Sequence, residues 1–309
     1  MNSRRLMLPL LIGLSLSLGA CAASPEQLAK DLQKAFEGGD MDAALELAKF
    51  DEAPAQLHFF YLNQVSECAG ADTICTVSIQ PLDADYNAKL AEQAKVGVEA
   101  AVAPIGVVLI ESKDKDGKSS GKLRMPYAEV DGRYVVLAQR YSKAKVDELR
   151  AITNESLLLD ALAEGTRDSN GQPRPDWKAT ATELPAGGGE AGAAFVQRAA
   201  ALVAAAKAGD PEAAAKIDGT QPGGWYADKD WNSKPLDLAT RRHKLRAHSV
   251  RFLHDIEVTG GWQGEDTAIL VANAKDGVGW IERGAFVVTK TDDVWDYRGR
   301  RFTVSYPTD

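Results

Sequence analysis

LQKAFEGGDMDAALEL (residues 32–47) and LVAAAKAGDPEAAAKI (residues 202–217) can be laid over one another with six identities in sixteen positions. Gly39-Asp40 falls on Gly209-Asp210, and Ala43-Ala44 on Ala213-Ala214. Each stretch reads as a helix, a Gly-Asp break and a second helix. Glycine tolerates the left-handed conformation that ends a helix, and the Asp side chain accepts from the free N–H groups that begin the next one. Pro211 at the first helical position of the later copy strengthens the reading. The offset is 170 residues, so one plan is expected to be used twice along the chain.

Working outward, the far end of each half repeats as well. Gly121 to Leu137 and Gly279 to Trp295 both read strand, turn, strand, at an offset of 158. Val250, Phe252, His254, Ile256 and Val258 alternate with Arg251, Leu253, Asp255 and Glu257, which predicts a strand with one mainly apolar face. Further strands are expected at Thr267 to Ala274, Val278 to Thr289 and Val294 to Tyr306, with turns at Gly260-Gly261, Asp276-Gly277 and Asp292-Asp293. In the first half, Gln56 to Val65 and Ile74 to Ile79 read as strands, with a polar helix inserted around Tyr86 to Ala101. Gly165 to Gly192 is rich in Gly and Pro and reads as a connection.

These elements predict an α+β protein of two tandem helix-then-antiparallel-sheet domains. The expected boundaries are a targeting segment at 1–20, an N-terminal domain at 21–164, a linker at 165–190 and a C-terminal domain at 191–309. Over Ser24 to Tyr141 and Ala191 to Asp309 the element order resembles the cone-shaped nuclear-transport-factor-2-like fold. The inserted polar helix departs from that pattern.

At the N-terminus, Arg4 and Arg5 precede an apolar stretch from Leu6 to Leu18, too short to span a bilayer comfortably. It ends in Leu18-Gly19-Ala20-Cys21. This resembles the lipobox of bacterial lipoproteins, and the resemblance implies cleavage before Cys21 and acyl chains on its thiol, palmitate among them. Ala22, in place of Asp, then implies sorting to the outer membrane, on the periplasmic side. Ser24-Pro25-Glu26-Gln27 fits a capping box, which leaves only Ala22 and Ala23 between the lipid and a helix.

Removing residues 1–20 leaves 34 Lys and Arg against 44 acids, a formal charge of −10. That balance argues against nucleic acid as a partner and against electrostatic adhesion to an anionic membrane. Apart from Cys21, the cysteines are Cys68 and Cys75, an even pair expected to form a disulfide across a hairpin in an oxidising compartment.

Candidate chemistry is concentrated in the second half. Residues 241–254 hold three of the four histidines and five basic residues. Read as extended chain, His248 and His254 stand about 20 Å apart and cannot share a metal. His254 alone is a weak candidate for a catalytic base, beside Glu282 or a tyrosine; the plainer alternative is a satisfied histidine at the core edge. Arg241, Arg242 and Arg246, with the aromatic loop residues Trp225, Tyr226 and Trp231, form the expected partner-binding set. His58 in its apolar run reads as a strand residue. Hydrolase, zinc-protease, phosphate-loop and dinucleotide motifs do not occur in the chain.

The expectation is therefore a non-enzymatic, lipid-anchored protein-binding module with no cofactor and no metal site. Its resemblance to duplicated lipoproteins that serve as immunity proteins implies a secreted toxin as partner. The alternatives are binding of a small molecule or envelope polymer in the domain cavities, and a cone-fold enzyme using His254.

Overall fold

A computed structural model describes residues 22–117, 120–165, 172, 177–218, 235–296 and 301–308. The chain is a mixed α+β protein with antiparallel sheets. Its first half runs α1 (Pro25–Gly38), α2 (Met41–Glu46), β1 (Ala48–Lys49), α3 (Ala55–Cys68), β2 (Thr73–Gln80), α4 (Ala84–Lys95), β3 (Val98–Ala100), β4 (Gly106–Asp114), β5 (Ser120–Val130), β6 (Arg133–Leu137) and β7 (Gln139–Tyr141). Two helices follow, α5 (Lys143–Ala151) and α6 (Asn154–Gly165). The remainder runs α7 (Trp177–Thr180), β8 (Thr182–Leu184), α8 (Gly189–Ala208), α9 (Pro211–Asp218), α10 (Leu238–Ser249), β9 (His254–Gln263), β10 (Thr267–Lys275), β11 (Ile281–Thr291), β12 (Val294–Asp296) and β13 (Arg301–Tyr306).

The two Gly-Asp breaks fold alike. Gly39 and Gly209 close α1 and α8 with φ of 65° and 62°, each donating to the carbonyls of the last turn. Asp40 and Asp210 then accept at 3.0 Å from Ala43 and Ala213, opening α2 and α9. At the N-terminus Ser24 accepts from Gln27 N at 3.2 Å with Pro25 at the first helical position, although the Gln27 amide turns to Asp31 instead of closing the capping box.

The first sheet has the order β1-β6-β5-β4-β2, antiparallel except for the short β1–β6 pairing. The second has the order β12-β11-β10-β9-β8, with β13 also on β11. The hairpins β5–β6 and β11–β12 turn through two residues of positive φ, Asp131-Gly132 and Asp292-Asp293. This is the tight turn whose twist suits paired strands. Val130↔Arg133 thus corresponds to Thr291↔Val294, an offset of 161, so the expected superposition at 158 is three residues out of register.

Gly260-Gly261 is not a turn: β9 continues through both, and Gly261, at φ 153°, lies so close to the Ile269 carbonyl that no Cβ fits. The chain reverses after Gln263 instead, where Gly264 N donates to Thr267 O at 2.8 Å.

One strand expectation is overturned and a second is shortened at its start. Gln56 to Val65 lies within α3, which buries Phe59, Leu62 and Val65 and also Tyr61, Gln64 and Cys68. Because α3 is covered on more than one side, its apolar residues do not trace a single stripe, and the helical period is hidden in the sequence. The segment 238–249 is helix α10, opened by Asp237, which accepts from Thr240 N at 2.8 Å. Its buried Arg241, Leu245 and His248 recur at helical spacing, and the strand expected from Val250 to Val258 begins only at His254, Val250 being the C-cap of α10. Cys68 and Cys75 are joined, as expected, but the bond ties the end of α3 to edge strand β2 and not two strands of a hairpin.

The expected linker at 165–190 is ordered structure where it is described. Trp177 is buried with Ala161, Leu162, Ile269, Ala285 and Val287, and β8 pairs with β9. Residues 166–171 and 173–176 of that stretch lie outside the described residues. Helix α6, which precedes the expected boundary, packs on β10, β11 and β13. The second sheet is consequently covered on one face by α8, through Phe195 against Phe286, and on the other by α6. Cover on both faces explains why β10 is a near-continuous apolar run.

Candidate functional site

The expected site residues are set around α10, whose faces meet different neighbours. Arg241 is buried and pairs with Glu212 of α9, whose carboxyl is held below its ordinary pKa by that hydrogen bond. Arg242 is exposed and donates to Gly209 O at 3.2 Å. Arg246 reaches across to Asp42 of α2, an ion pair joining the two halves. Of the expected basic patch, Arg241 is thus a buried strut. Trp225, Tyr226 and Trp231 lie outside the described residues, as does Cys21.

The other side of α10 packs on α3. Ala247 is completely buried and belongs to the same core cluster as Phe36, Phe59 and Leu62 of the first half. The His248 ring packs against Phe59 with centroids 4.5 Å apart and planes tilted by 55°, and the Arg251 guanidinium lies 5.2 Å from the Phe59 ring's centroid. Burial pushes the His248 pKa down to about 3, with the positive charges of Arg251 and Lys244 acting in the same direction. His243, also lowered by burial, fills the space above Gly39, so a Cβ on that glycine would meet its ring. His58 is on α3, not on a strand; its ring lies 4.7 Å from Phe50, and burial lowers its pKa too.

His254 opens β9, half-buried, with Nε2 2.9 Å from the Asp276 carbonyl and Nδ1 3.3 Å from Asp255. Glu282 is buried and accepts from the Thr303 hydroxyl at 3.2 Å. Among the described residues no hydrogen bond or ion pair joins the two, and the Glu282 carboxylate serves Thr303. His248 and His254 lie on different elements, so the extended separation does not describe them. Among the described residues no group of three His, Cys, Asp or Glu is placed to hold a metal ion.

A cleft of about 420 Å³, its open mouth included, lies between α8 and the segment leading into β9. Phe195, Leu202, Phe252 and Leu253 supply apolar walls, while Arg198 and Arg251 supply the charged ones. Arg198 is held by Asp218 at 2.6 Å and Asp296 at 2.9 Å. The sequence singles out neither Phe59 nor Arg198, and it marks Arg251 only as one of the five basic residues of 241–254. The apolar run around Phe59 carries a signal, but one that suits a strand as well as a helix.

In comparisons with known proteins, the chain matches no family model, no curated protein and no solved structure.

Proposed function

We propose that this chain is a non-catalytic binding protein of the bacterial envelope, anchored to the outer membrane by acyl chains on Cys21, and that each half is a cone-like module. Its partner is a protein, and the immunity-type role, capture of a secreted toxin, is the version adopted here. The observation that supports the reading best is the use of the ionisable side chains. Arg241, Arg246, His243, His248 and His254 all contact other parts of the fold. They brace a scaffold, which suits presentation of a surface better than proton transfer. Trp225, Tyr226, Trp231 and exposed Arg242 remain the contact set, since aromatic and Arg side chains dominate interface energies.

The test uses the full chain, because Ala247 of α10 belongs to the core of the first half. Binding to the purified product of the adjacent gene is compared for the native protein and a Trp225→Ala/Trp231→Ala/Arg242→Ala variant. A loss of tenfold or more, about 1.4 kcal/mol, is expected. Undiminished binding would sink the proposed surface, and failure of the native protein to bind would remove the immunity reading.

A further inference from the structure

We infer that one end of the first sheet, marked by Ala22 and Ile105, is the face laid against the lipid bilayer. The inference rests on the lipid-anchor reading and adds an orientation to it. Ala22, bonded directly to Cys21, is 1% exposed, and its carbonyl accepts from Tyr134 N on β6 at 3.0 Å. The residue that follows the anchor cysteine in sequence is therefore fixed to the sheet at this end.

Strand register shows what else lies at this end. Gly106, Tyr127 and Val136 form one row across β4, β5 and β6. Ile105 lies one residue beyond that row, its N–H donating to Tyr127 O at 2.9 Å, and Tyr134 lies two residues beyond it in the same direction. Ala22 and Ile105 thus flank the β5–β6 hairpin at the same end, about three strand spacings or 14 Å apart.

Ile105 is 53% exposed. It ends Ala100-Ala-Val-Ala-Pro-Ile105, six residues without a charge. Val102 of this segment packs against Ala128, Val135 and Leu137. An exposed apolar side chain on a short, supported segment beside an acyl anchor suits the headgroup–acyl boundary. The hairpin between them carries exposed Asp131 and Arg133, which fit the headgroup layer.

Ile74 provides the control. It is 52% exposed but sits opposite Lys113, eight residues along β4 from Ile105, so about 26 Å towards the other end of the sheet. The full acylated chain, as Ile105→Cys or Ile74→Cys, is labelled with an environment-sensitive fluorophore. It is then reconstituted in vesicles of phosphatidylethanolamine and phosphatidylglycerol containing a headgroup-level quencher lipid.

Blue-shifted emission and at least threefold stronger quenching at position 105 than at 74 are expected. Ala103→Cys repeats the measurement should Ile105→Cys fail to fold. Mass spectrometry of the N-terminal peptide is run on the same samples. Acylated Cys21 with equal signals at both positions, or a stronger one at 74, overturns the orientation alone. Cys21 without acyl chains overturns the anchor reading and the orientation with it.

Discussion

His248 is the side chain whose environment is most at odds with its chemistry. It is 5% exposed, packed against Phe59 and flanked by Arg251 and Lys244, and its folded pKa of about 3 lies far below the ordinary 6.5. Below pH 6.5 the unfolded chain takes up a proton that the folded chain refuses. Stability is therefore unaffected by this group above pH 6.5 and falls as pH drops from 6.5 towards 3, by about 1.4 kcal/mol per pH unit. His58 and His243 are displaced in the same direction and add to the trend. Denaturant unfolding between pH 7.5 and 4.5 should show the native protein losing about 2–3 kcal/mol more than His248→Leu. Parallel pH profiles for the two would mean that the ring is solvated.

At the scale of elements, edge strand β2 is protected by one side chain. Gln33 of α1 donates to Cys75 O at 2.8 Å and accepts from Val77 N at 2.6 Å, standing in for a peptide group of a further strand. An uncovered edge is a template for association with another chain. Gln33→Ala should cost about 1–3 kcal/mol, since two backbone groups lose their partner. It should also raise self-association, measured by sedimentation at increasing concentration. A variant that is both stable and monomeric would show that the edge is guarded by other means.

Local chemistry was readable in the sequence wherever one residue type determines the backbone. Gly39-Asp40, Gly209-Asp210 and Asp292-Asp293 reached their expected roles, and Cys68 and Cys75 are joined as expected, although between a helix and a strand. Reading failed where packing between distant elements decides. Tyr61 is buried, with its hydroxyl on Ala44 O, while Cys68 is tied to β2, so α3 shows no single apolar stripe. The basic run of α10 was likewise ambiguous, because Arg241 and His248 count as polar although both are buried. For the same reason the contact of His248 with Phe59, nearly 190 residues earlier, left no local signature.

For the whole molecule, the seam between α3 and α10 carries the main consequence. Ala247 supplies part of the first half's core, and α6 covers the second sheet, so the halves should unfold together in one calorimetric transition. Ala247→Asp places an unpaired charge in that core. It should lower stability by more than about 2 kcal/mol and split the transition in two. Asp42→Asn removes only the exposed pair with Arg246, and should change stability by less than about 1 kcal/mol. Two resolved transitions in the native protein would show that the seam does not couple the halves.

The same seam sets an order in time. A chain made from its N-terminus onward delivers α3 long before α10, which lies about 180 residues behind it. Until α10 arrives, the surface around Phe59 that it covers is exposed to solvent and to other chains. Modules at the start of a chain generally complete their folding first. Here the earlier half waits for the later one, so the nascent protein passes through an interval of exposed apolar surface in which holdase chaperones and proteases compete with folding.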